Sequence, residues 1–289
     1  MSESDRLDVR KTYKLYVGGA FPRSESGRTY VVEDAKGRFV ANAALASRKD
    51  ARDAVAAARK AFGGWAGRTP YNRGQVVYRV AEMLEGRRAQ FAGEVARGEG
   101  LSPRRADQVV SAAVDRLVWY AGWADKVGQV VGSSNPVAGP YFDFTLPEPT
   151  GVVAVVAPQD SSLLGLVGVV APAIVTGNTV VVLAAPSRPV PAVTFGEVLA
   201  TSDVPGGVVN VLTGTTAEVA PWLASHMDVN AIDLAGVDDA DLARDLEAAA
   251  ADNLKRVLRP RAEAWDEVPD LSRMVWALET KTVWHPIGV

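Results

Sequence analysis

The chain has 289 residues, 48% of them hydrophobic, enough to bury a sizeable core in one or two domains. Its 31 basic residues stand against 34 acidic ones, and the formal net charge of -3 with no basic run removes electrostatic support for nucleic-acid binding. There is no cysteine, which excludes disulfides, thiolate metal ligands and a thiol nucleophile; the two histidines, His226 and His285, lie far apart in sequence, so no metal site is expected.

The N-terminal run "MSESDRLDVRKTYKLYVGGA" has no uninterrupted apolar stretch and does not read as a secretory signal. From Ser47 to about Lys126 the pattern is helical. Ser47 is placed to cap a helix carrying Ala54, Ala57, Ala58 and Phe62 at helical spacing. Val77, Val80, Met83 and Leu84 form a second stripe, and Val109, Ala113, Leu117 and Tyr120 a third, all read as core-facing. Next, "VGQVVGSSNPVAGPYFDFTLPEP" alternates like a hairpin, with Tyr141, Asp143 and Thr145 set against Phe142, Phe144 and Leu146.

From Gly151 the pattern changes. Val152–Ala157, Thr179–Leu183, Val208–Leu212 and Ala231–Ala235 are short β-rich runs, each followed by a helical segment. That alternation predicts an α/β fold with a Rossmann-like parallel sheet and flanking helices, its ligand crevice beyond the carboxyl ends of the strands. Leu163–Ile174, the longest apolar stretch, is too short and glycine-rich to span a bilayer, so no membrane association is expected and cytoplasm is the default compartment. Pro260, Arg261, Glu263, Asp266 and Glu267 then read as a linker. Thr280, Thr282 and Trp284 finally alternate with Lys281, Val283 and His285 in a terminal strand that needs a sheet to join.

In order, "KLYVGGAF", "DARDAVAAARKAFGGWAGRTPYNRGQVVYRVAEMLE", "EPTGVVAVVAP", "APAIVTGNTVVVL", "VPGGVVNVLTG", "SHMDVNAIDLAG" and "NLKRV" resemble the coenzyme-binding part of an aldehyde dehydrogenase. "KTVWHP" resembles that superfamily's carboxyl-terminal oligomerisation strand. The chain resembles the second, shortened, cysteine-lacking half of family-16 aldehyde dehydrogenases. The resemblance implies N-terminal strands and helices of the coenzyme-type domain (1–128), an oligomerisation hairpin (129–150), a Rossmann-like core (151–258), a linker in place of a catalytic domain (259–278) and an oligomerisation strand (279–289).

The family's chemistry needs a cysteine thiolate, a glutamate base and an asparagine that stabilises the oxyanion. Here no thiol exists, Pro260 stands at the glutamate position, and Asp160 replaces the asparagine of "PWNFP". An ionised Asp160 accepts only and would repel an oxyanion; a turn or helix-capping role is the expected one. Leu183 and Pro186 stand where the family's "KPAE" contacts the adenosine ribose. Val237 and Asp238 stand within the stretch that the family uses, as "FTGSTEVG", to lay pyrophosphate on a helix N-terminus. These degraded positions predict no catalytic residues, no cofactor and NAD binding that is weak at best. The expected role is that of a pseudoenzyme acting as a structural or regulatory subunit. Phe142, Phe144, Val283 and Trp284 are expected to mediate a homodimer alone and a hetero-oligomer with a complete aldehyde dehydrogenase. The alternatives are a weak NAD-binding sensor and a residual oxidoreductase or hydrolase using Asp160 with Ser161 or Ser162.

Overall fold

The structure, a computed structural model, describes residues 10–288. Met1–Val9, part of the N-terminal run read above, and Val289 of the terminal strand region lie outside the described residues. Among the described residues no helix is long and apolar enough to cross a membrane.

The N-terminal part contributes three short strands, β1 (Thr12–Tyr13), β2 (Thr29–Glu33) and β3 (Phe39–Ala44), in a small sheet of order β1-β3-β2. Helices α1 (Arg48–Ala66), α2 (Pro70–Glu85), α3 (Arg88–Glu99) and α4 (Pro103–Trp123) follow. Ser47 and Asp50 close a capping box at the start of α1, and α2 and α4 begin with Thr69 and Ser102 caps followed by proline at a position where no backbone donor is needed. The predicted stripes bury Ala54, Ala58, Val77, Val80, Leu84, Val109, Ala113, Leu117 and Tyr120, while Met83 and Phe62 are half-buried.

The segment read as a hairpin starts differently. Val127–Val131 forms a short helix, α5, in which Gln129 and Val130 N–H donate to the Lys126 carbonyl and Val127 is buried. The strands proper are β4 (Ser133–Asn135) and the nine-residue β5 (Tyr141–Pro149), paired antiparallel.

The core is a five-stranded sheet of order β10-β9-β6-β7-β8, in which every pairing is parallel. Its strands are β6 (Val152–Val156), β7 (Thr179–Leu183), β8 (Val209–Leu212), β9 (Ala231–Asp233) and β10 (Arg256–Leu258). They are joined in turn by α6 (Leu164–Val175), α7 (Val190–Leu199), α8 (Thr216–Ser225) and α9 (Ala240–Ala251). Because side chains alternate along a strand, Val153, Val155, Val180 and Val182 pack with α2, α4, α6 and α7, while Val152, Ala154, Val156 and Val181 pack with α1, α8 and α9. Strand order reverses between β6 and β9, so the loops leaving these two strands diverge and open a crevice.

Residues 259–278, expected to be a linker, form an ordered strap. Arg116 Nη2 on α4 donates to the carbonyls of Trp265 (2.6 Å) and Glu267 (2.7 Å). The Trp265 ring lies against Gly168 of α6, where an added Cβ would come within 2.9 Å of it. The strap includes a short helix, α10 (Ser272–Val275), and buries Met274 and Ala277. It covers α6, whose residues are buried all round, as expected of a helix with no polar face. Glu263, one of the charges that suggested a linker, is instead largely covered and paired with Arg273. The strap leads into β11 (Leu278–Pro286), which pairs antiparallel with β5 in a sheet of order β11-β5-β4.

Candidate functional site

The crevice at the carboxyl ends of β6 and β9 has a volume of about 470 Å³ and is lined by Gln159, Asp160, Val237 and Asp238 on the sheet side and by Arg261, Glu263 and Trp265 of the strap, among others. Gly236 permits its close geometry. The Gly236 N–H donates to Val156 O, and a Cβ at Gly236 would lie 1.8 Å from Ala157 O. Any side chain there would separate the two turns.

The turn after β6 is held by its own polar groups. Gln159 Nε2 donates to Ala157 O at 2.7 Å. Ser161 Oγ accepts from Gly165 N (2.9 Å) and so caps α6. Ser162 donates from both N (2.7 Å) and Oγ (2.6 Å) to Glu99 Oε1. The capping role expected of Asp160 therefore falls to Ser161; Asp160 is exposed and contributes its carbonyl, which accepts from Arg188 Nη1 at 3.0 Å. Arg188 also reaches Gln159 O (3.2 Å), so its guanidinium spans the ends of β6 and β7. Among the described residues the hydroxyls of Ser161 and Ser162, which the hydrolase alternative would pair with Asp160, are engaged instead with Gly165 N and Glu99.

Leu183, Ala184 and Ala185 at the end of β7 are buried and apolar, and Pro186 follows half-buried. At the end of β9, Val237 is buried and Asp238 exposed. Asp239 caps α9, its Oδ1 accepting from Asp241 N (2.9 Å) and Leu242 N (3.2 Å). Free amides at a helix start are what would hold a pyrophosphate, and here a carboxylate of the chain already accepts from them. The crevice lining carries Asp160, Asp238 and Glu263 against Arg261 alone, and Arg261 is paired to Glu263 at 2.7 Å. The crevice thus presents an acidic surround, with the Asp241 and Leu242 amides at the start of α9 engaged by Asp239 and an apolar end of β7 nearby.

Behind the crevice lies an ion-pair cluster that sequence reading missed. Asp233, wholly buried in β9, receives Arg273 Nη1 at 2.6 Å and the Ala235 N–H at 3.0 Å. Arg273 also donates through Nε (2.8 Å) and Nη2 (2.6 Å) to both oxygens of Glu263, and its guanidinium lies 4.9 Å from the Trp265 ring centre. Burial pushes the Asp233 carboxyl up, with Arg273 opposing. Burial also acts on Glu263, but hydrogen bonds from Arg273 and Arg261 outweigh it and hold that carboxyl below its usual range. The signal available in the sequence was the acid in "NAIDL", a charge inside an otherwise apolar strand that demands a buried partner.

The residues expected to mediate assembly come together on one sheet. Phe142 and Phe144 pack at 5.3 Å between ring centres, and Val283 is the register partner of Phe144, which places all three on one face. Trp284 opposes Asp143 on the other face, its ring 5.6 Å from that of Tyr141. Phe142 is 49% exposed and Trp284 58%.

Comparison with known proteins matches residues 21–259 to the aldehyde dehydrogenase family model. Retinal dehydrogenase 2 of Gallus gallus is 34% identical over 256 residues, 87% of this chain and 48% of that protein. The putative aldehyde dehydrogenase DhaS of Bacillus subtilis is 30% identical over 263 residues, 89% of this chain and 52% of that protein. The NAD+ complex of an aldehyde dehydrogenase from Bacillus cereus superposes with a TM-score of 0.80 at 27% identity, covering 86% of this chain and 50% of that one. PnpE from Pseudomonas sp. WBC-3 superposes with a TM-score of 0.81 at 28% identity over the same shares. The chain spans about half the length of these relatives. With residues 21–259 matching the family model and the parallel sheet superposing on that of solved relatives, the chain belongs to the aldehyde dehydrogenase family.

Proposed function

We propose that this chain is a catalytically inactive member of its family that serves as a structural or regulatory subunit beside a complete aldehyde dehydrogenase. The observation that carries the reading is the capped start of α9, where Asp239 accepts from the amides that a pyrophosphate would need. The absence of any thiol from the 289 residues supports it, as does Pro260 at the position of the glutamate base. In this reading NAD binds weakly at best, and the cytoplasm is the compartment.

Assembly would use the β4-β5-β11 sheet. Its exposed Phe142 and Val283, with Phe144 beside them, make one face apolar, and Trp284 with Tyr141 adds an apolar patch on the other, on a sheet with free edges, a combination that favours burial against another chain. Alone the chain would pair with a copy of itself; with a complete aldehyde dehydrogenase it would replace one member of the pair. Co-expression with such an enzyme, followed by size-exclusion chromatography with mass determination, tests this. The expected result is a complex that is lost when Thr280–Val289 is deleted, together with no NAD(P)-dependent aldehyde oxidation by the isolated chain. A monomer indifferent to the deletion that co-purifies with nothing, or turnover that survives removal of contaminating dehydrogenases, would overturn the reading.

A further inference from the structure

A second cleft, sharing no lining residue with the crevice, lies between α1 and α8. It has a volume of about 560 Å³ and is lined by Glu25, Ser47, Arg48, Lys49, Arg52, Trp222, Ser225 and His226. That size suits a drug-sized or nucleotide-sized ligand. Three of its side chains are cations and one is a carboxylate, in a protein whose net charge is negative. The positive character comes from these side chains, and in the first turn of α1 the Asp50 amide is already engaged by Ser47 in the capping box.

Arg48 lies over Trp222 with its guanidinium carbon 4.2 Å from the ring centre, and makes no ion pair with an acid among the described residues. Stacking uses the flat face of a guanidinium and leaves its in-plane N–H groups free to donate to an anion. Lys49 pairs with Glu25 at 2.6 Å and Arg52 with Asp53 at 2.8 Å, both at exposed positions where such pairs exchange easily for another anion. His226 Nδ1 accepts the Asp228 N–H at 3.1 Å, so in the neutral ring the proton sits on Nε2 and that nitrogen is a donor. The lining thus combines an aromatic platform, a stacked arginine with spare donors, and further cationic and neutral donors.

We propose that this cleft binds a small aromatic anion of the nucleotide class, its ring on the Trp222 and Arg48 stack and its phosphate among Lys49, Arg52 and His226. The site is independent of the assembly reading, and the ligand contacts none of the family's catalytic positions.

The test exploits the presence of only two histidines, His226 and His285. Their ring signals are followed by NMR in the full chain while ADP, adenosine or inorganic pyrophosphate is added. The expected result is a saturable shift of His226 alone with ADP, and at least about tenfold weaker binding of adenosine and of pyrophosphate, because each lacks one half of the ligand. Arg48→Gln and Lys49→Gln, both exposed and checked for unchanged unfolding curves, should each weaken ADP by about tenfold. Asp239→Thr, at the crevice, should leave the His226 response unchanged, which separates this site from a residual dinucleotide site. No saturable shift at His226, equal shifts of both histidines, pyrophosphate binding as tightly as ADP, or indifference to Arg48→Gln and Lys49→Gln would each overturn the proposal.

Discussion

Replacing Arg273 with methionine would keep much of the side-chain volume while removing the charge that faces Asp233. Arg273 is 5% exposed and Asp233 1%, and they meet at 2.6 Å, so water cannot replace the lost guanidinium without opening the strap. Breaking one side of a buried pair costs about 3–5 kcal/mol. An independent bound agrees: Asp233 can escape an unpaired charge by taking up a proton, and neutralising a carboxyl of ordinary pKa ~3.9 at pH 7 costs ~4 kcal/mol. Two further consequences follow from that choice of escape. In Arg273→Met the folded Asp233 binds a proton more readily than the unfolded one, so the variant gains stability relative to the parent as pH falls from 7 towards 4, by about 1.4 kcal/mol per pH unit while Asp233 stays protonated in the fold. Adding Asp233→Asn should remove the Asp233 share of the penalty, since a neutral amide still accepts the Ala235 N–H, while Glu263 keeps its bond from Arg261. Urea unfolding of the parent, single and double variants at several pH values measures all three. A single variant within about 1 kcal/mol of the parent at pH 7, or a penalty that does not shrink on acidification, would refute a buried ion pair as the clasp of the strap.

Gly236→Ala places a Cβ 1.8 Å from Ala157 O, against backbone that cannot yield, so a loss of about 3 kcal/mol or more by urea unfolding is expected; a neutral result would mean the two turns are not in contact. Calorimetric titration of the parent should give an NAD dissociation constant weaker than ~1 mM, an interaction of at most about 4 kcal/mol. Replacing Asp238 with serine and Asp239 with threonine should strengthen it, since the acids leave while the hydroxyl of a Thr cap still satisfies the helix; micromolar binding by the parent would show that the acids do not obstruct the site.

Much of the fold was legible because strand and helix periods are local properties. The β-rich runs of Val152–Ala157 and Thr179–Leu183 alternate with apolar helical segments, and a run buried on both faces belongs to a parallel sheet. Capping by Ser47 was likewise legible, since a cap involves residues within one turn of each other. So was the missing thiol, since the absence of a residue type needs no coordinates. Sequence pattern also located the β5 and β11 residues, because alternation sorts them by face.

Tertiary structure alone decided which distant groups meet. Residues 259–278 read as a linker because Arg261, Glu263 and Glu267 look solvated, and composition carries no record of a partner such as Arg116, 151 positions from Glu267. Asp233 is joined to Arg273 across 40 positions and Arg116 to the Trp265 carbonyl across 149, so a charged segment became an ordered strap over α6. Arg188 reaches the turn after β6 across 28 positions, and Ser161 rather than Asp160 caps α6 because the chain's path, not its composition, aims the Ser161 hydroxyl at Gly165 N. Local propensity is set by neighbours in sequence, whereas the pairing of buried charge is set by which surfaces the folded chain brings into contact.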